Sequence, residues 1–80
     1  MTSLNEAIQL IEKGDWKAAH SIVQDETSAL GSWAHGVVHM LEGDTQNARY
    51  WYKRAGKTFP SHFNIKIEIK ALKSALTKQP

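Results

Sequence analysis

Two histidines and a carboxylate come closest to a chemical motif in this chain. His35 and His39 are four residues apart, and Glu42 follows three residues later. On a helix turning about 100° per residue the three share one sector, the arrangement by which two imidazoles and a carboxylate can hold a metal ion. The general-base Glu that sits between the two histidines of a zinc-protease helix is missing here. Packing is therefore the favoured reading, a groove-lining or partner-binding role the next, and a histidine-based metal site the last. His20 and His62 are isolated in the sequence and read as surface residues.

The second candidate set is basic. Arg49, Lys53 and Lys57 recur at i, i+4, i+8, with Tyr50 beside them, and Lys66, Lys70 and Lys73 make a second row. On neighbouring helices they would form a positive surface for anionic partners. Lysines outnumber arginines eight to two, whereas bidentate recognition of phosphates prefers arginine. Binding of nucleic acid is thus an alternative and an acidic protein segment the main expectation. No nucleophile–base–acid set and no glycine-rich phosphate loop is visible, so the chain reads as a non-enzyme without a cofactor.

These side chains need elements to position them. Eighty residues allow one small domain, spanning 1–80, and the absence of cysteine rules out disulfides and thiolate zinc sites. No apolar run has the length of a bilayer span and no signal-peptide pattern opens the chain, so a cytoplasmic protein is expected. The net charge of +2 hides an uneven distribution. Residues 1–44 hold two bases and seven acids (2 − 7 = −5), and residues 45–80 hold eight bases and one acid (8 − 1 = +7).

Apolar periodicity predicts five helices. Leu4, Ala7, Ile8 and Ile11 form the first stripe, behind the capping pair Ser3 and Glu6. Trp16, Ala19, Ile22 and Val23 form the second, which fades at 25–28. The third, about 29–42, has a wide apolar face from Leu30 to Leu41. Gly31 and Gly36 lie inside it, each costing roughly 1 kcal/mol against alanine, so a packing reason is expected. The fourth, about 45–57, buries Ala48, Trp51, Tyr52 and Ala55. The last segment, 61–78, alternates like a strand at Phe63, Ile65, Ile67 and Ile69, yet its continuation favours helix. As a helix it would leave Phe63 and Ile67 as an exposed apolar pair, a possible seam for a homodimer.

Gly14-Asp15 recurs as Gly43-Asp44, and an alanine follows each Asp by four residues, Ala19 and Ala48. Each turn joins two amphipathic helices, and repeated helix–turn–helix units are a solenoid signature. The second unit resembles a tetratricopeptide repeat (TPR): Gly36 at the small position of its first helix, Gly43-Asp44 at the turn, Ala48, Tyr52 and Ala55 in its second helix, and Pro60 closing the repeat. The first unit matches through Gly14, Asp15, Trp16 and Ala19, with Glu26 in place of a small residue and an offset of 29 residues rather than the usual ~34. The stretch from Glu42 to Gly56 is also similar to small bacterial proteins of this class. The resemblance implies an all-α, right-handed superhelical stack: a hairpin at 3–26, a hairpin at 28–58 and a C-terminal capping helix. It further implies a non-catalytic protein–protein interaction module, with His35 and His39 packed near Ala48 and Tyr52. Trp33, Val37 and Met40 would line its groove, and the basic rows would steer an acidic partner or another copy of the chain. Stacking would leave the acidic and basic halves as two oppositely charged ends.

Overall fold

The computed structural model describes residues 3–78, so the outermost two residues at each end of the expected domain lie outside it. The chain is all-α, with α1 Ser3–Glu12, α2 Trp16–Val23, α3 Ala29–Glu42, α4 Thr45–Arg54 and α5 Ile65–Thr77.

The repeated Gly-Asp turn works as one device. Gly14 and Gly43 adopt φ of 83° and 93°, the left-handed region that a residue with a Cβ enters at a cost. This turns the chain so that the Asp15 amide reaches back to the Leu10 carbonyl and the Asp44 amide to the His39 carbonyl, both at 2.9 Å. The Gly amides bond Ile11 and Met40, completing the bond pair of a Schellman motif. The same Asp then caps the next helix: Asp15 Oδ1 accepts from the Ala18 amide and Asp44 Oδ1 from the Asn47 amide. Two residues thus end one helix and start another.

Packing follows the apolar stripes. α1 packs on α2, α2 on α3 and α3 on α4. Leu4, Ala7, Ile8, Ile11, Ala19, Val23, Val37, Val38 and Ala48 are buried between them. α3 is enclosed, with every residue from Leu30 to His39 buried. Both of its glycines have the expected packing reason. A Cβ on Gly36 would lie 2.5 Å from Tyr52 Cδ1 and 3.2 Å from the Ala48 carbonyl oxygen, and one on Gly31 would lie 2.5 Å from Glu26 Cβ.

The C-terminal segment is the expected helix, but it starts at Ile65 rather than 61, where Asn64 Oδ1 accepts the Ile67 amide. Phe63 precedes the helix and turns onto the core, leaving only Ile67 exposed, at 63%. The apolar pair expected as a dimer seam is therefore not formed. α5 also does not extend a stack past α4. It folds back across α1 and α3, burying Ile69 and Leu72. α4 ends three residues earlier than expected. Gly56 takes the left-handed conformation and the Lys57 amide returns to the Tyr52 carbonyl, so Lys57 lies beyond the helix and the Arg49–Lys53–Lys57 row is broken.

Gly36→Ala separates helix propensity from packing. Propensity alone gains up to about 1 kcal/mol, whereas crowding of a packed interface costs about 1–3 kcal/mol. The contact with Tyr52 makes the expected outcome a net loss of roughly 1–2 kcal/mol in urea denaturation. A stabilised variant would show that the ring yields freely.

Candidate functional site

Two places in this fold gather chemistry: a histidine cluster between α2 and α3, and a lysine-walled cleft between α1 and α5.

The cluster draws on two helices. His35 and His39 lie one turn apart on enclosed α3 and are buried. His20 projects from α2 beside Ala19, which packs on the core, and is half-buried. Its Nε2 is 3.2 Å from His35 Nε2, so one ring donates its N–H to the other's lone pair. The His20 ring is edge-on to both others, at centroid distances of 4.8 and 5.3 Å, and His35 stacks with His39 at 4.9 Å. The far face of His35 stacks on Trp51 of α4, 3.8 Å away and within 8° of parallel. His39 Nδ1 is 2.7 Å from Glu42 Oε1, to which it donates.

His20, expected as an isolated surface residue, is thus a full member of the cluster. Gly36, rather than a histidine, meets Ala48 and Tyr52, and His35 packs on α4 through Trp51 and on α2 through His20. One nitrogen from each of His20, His35 and His39 lies within 4.8 Å of the others. His35 Nδ1 is buried without a hydrogen-bond partner among the described residues. Burial foremost, with positive charge on His39 and His20 adding to it, pushes the His35 imidazole down to about 4. At neutral pH it is therefore an uncharged ring with a lone pair to offer.

The residues expected to line a groove are placed differently. Trp33 is 6% exposed and lines a small cleft of about 230 Å³ with Leu30, Ala55, Lys57 and Ala75; Val37 is wholly buried and Met40 is half-buried. α5 lies beside this cleft and brings Glu68 to Trp33. Trp33 Nε1 donates to Glu68 Oε1 at 3.0 Å, and the Tyr52 hydroxyl donates to the same oxygen. Burial, together with that carboxylate, pushes the Tyr52 hydroxyl well above its ordinary value and keeps it a donor.

The basic residues divide in two. Arg49 lies over the Phe59 ring at 4.4 Å and Lys57 over the Trp33 ring at 4.1 Å, so both cover aromatic faces; Lys53 is exposed. Lys66, Lys70 and Lys73 share one side of α5, as their spacing requires. With Glu12, Ile65 and Ile69 they line a cleft of about 440 Å³. Lys73 Nζ pairs with Glu12 Oε1 at 2.9 Å across it, while Lys66 and Lys70 are exposed.

No family model, curated protein or solved structure matches the chain. What either place can do rests on its own geometry.

The buried imidazole predicts a pH dependence. His35 titrates near 4 in the native state and near ~6.5 once unfolded. Between these values the unfolded chain binds the proton and the native chain does not. Stability from this group is thus complete above pH ~6.5 and falls as pH drops toward 4, by at most roughly 3 kcal/mol. In metal-free buffer the urea midpoint of the wild type should fall more steeply from pH 7.5 to 4.5 than that of His35→Phe, which keeps an aromatic ring against Trp51. Parallel slopes would refute it.

Proposed function

We propose that the protein is a non-catalytic interaction module that docks an acidic, apolar-bearing segment of another protein in the cleft between α1 and α5. One observation carries this reading: an apolar floor, Ile65 and Ile69, with a lysine wall of Lys66, Lys70 and Lys73. Glu12 on the opposite wall is already engaged by Lys73. A segment with carboxylates beside one or two apolar side chains complements both surfaces. Charge would speed its encounter and set its orientation, and the apolar contact would hold it. The tetratricopeptide-like pattern of the sequence supports a binding role in general. Around Trp33 only a smaller cleft of about 230 Å³ is open beside α5, and Val37 is buried, so the reading moves to the outer side of that helix.

Nucleic acid fits this cleft less well. Both arginines lie against aromatic rings, Arg49 on Phe59 and Arg54 near Tyr50 and Trp51, and the cleft offers lysines only.

The test is shift mapping of labelled protein with a synthetic peptide carrying alternating glutamate and leucine, at low and at raised salt. Expected is a set of shifts confined to Glu12 and the Ile65–Lys73 stretch. Raised salt should weaken binding, and the charge-reversed pair Lys66→Glu/Lys70→Glu should weaken it at least about tenfold. Shifts mapping elsewhere, an unaffected double variant, or tighter binding of a single-stranded oligonucleotide at equal salt would each overturn it.

A further inference from the structure

The histidine cluster is not used by the proposed docking cleft, and packing alone does not call for histidines there. A phenylalanine at position 35 would stack on Trp51 equally well. It could not face the His20 Nε2 with a nitrogen of its own, as His35 Nε2 does at 3.2 Å. Three imidazoles sharing one small space are costly as hydrogen-bonding groups and well suited as ligands.

We propose that His20, His35 and His39 form a binding site for a late first-row divalent cation, Zn²⁺ foremost, which ties α2 to α3. The geometry is close to what coordination needs. Two imidazole nitrogens bound to one tetrahedral Zn²⁺ at about 2.0–2.1 Å lie ~3.4 Å apart. The His20 and His35 Nε2 atoms are 3.2 Å apart already. All three ligand nitrogens fall within 4.8 Å, so a displacement of about an ångström completes the triangle. His20, the least buried of the three, is the ring free to make it.

The surroundings also fit a cation. Glu42 accepts the His39 Nδ1 proton. That fixes the tautomer, leaves the lone pair on Nε2, and makes a carboxylate–histidine pair of the kind that raises ligand basicity at zinc centres. The Trp51 stack fixes the plane of His35. Asp44 and Glu42 group with His39, placing negative charge next to the site. Three protein nitrogens leave a fourth position for solvent, reachable from the half-buried His20 side. The benefit is structural: an 80-residue chain without cysteines lacks the covalent staples that small domains commonly use, and a metal is another such staple.

The test uses tag-free, metal-depleted protein titrated with Zn²⁺ alone and, separately, with Co²⁺. Expected are one ion per chain, Co²⁺ absorption of the intense four-coordinate type, and a rise in melting temperature of about 10 °C at a hundredfold excess over Kd. His20→Ala, at the most accessible position, should fold as the wild type does by circular dichroism and lose at least about tenfold in Zn²⁺ affinity. Glu42→Gln should lose about tenfold while keeping all three ligands. His62→Ala, outside the cluster, should bind as the wild type does. No saturable binding, a weak six-coordinate Co²⁺ spectrum, or unchanged affinity in a folded His20→Ala protein would overturn the proposal.

Discussion

The structure depends on one constraint: α3 is enclosed. Ten consecutive residues of one helix, Leu30 to His39, are withdrawn from water, so no side of that helix is free to be polar without a partner. A helix buried all round must be apolar, small or internally satisfied at each position. α3 uses all three solutions. Val37 and Val38 fill space, Gly31 and Gly36 let neighbours approach, and polar side chains take partners on α3 itself and on other helices, with His35 Nδ1 left over among the described residues. His35 takes His20 from α2 and Trp51 from α4, and Trp33 takes Glu68 from α5. Both the histidine cluster and the position of α5 follow from the need to satisfy this one helix.

Glu68 illustrates the point. It is the single acid in the basic half of the chain, and its carboxylate serves two donors, Trp33 and Tyr52. Both donors belong to large aromatic side chains that are better buried for their rings than for their polar ends. One acceptor on α5 therefore lets α3 and α4 each bury an aromatic, and it sets the rotation of α5 about its axis. That rotation directs Lys66, Lys70 and Lys73 toward α1.

What could be read from the sequence divides along the same line. Features set within one helix or one turn were legible: the five apolar stripes, the Gly-Asp turns, the close approach at Gly36 and the shared side of the three α5 lysines. Features set between helices were not. His20 carries no periodic signal of its own, and only the docking of α2 on α3 makes it a partner of His35. The bond from Trp33 to Glu68 and the small size of the cleft at Trp33 depend on where α5 lands, which its own stripe does not encode. The end of α4 was missed because Ala55 continues the apolar pattern while Gly56 breaks the backbone. The two oppositely charged ends expected of a stack are likewise not formed. α5 brings basic charge back onto acidic α1, joined at Glu12 and Lys73 by an exposed pair of the kind that contributes little to stability.

The return of α5 has a topological meaning as well. From α1 to α4 each helix packs on the next in sequence, and such near-neighbour contacts form with little loop entropy to overcome. The α5–α1 contact is different: it joins the first element to the last and turns an open series into a ring. Glu12 and Lys73, 61 residues apart, mark that closure. The lysine-walled cleft lies on this seam, with one wall from each end of the ring. It therefore exists only in the closed ring, and anything that holds its two walls together also holds the chain shut.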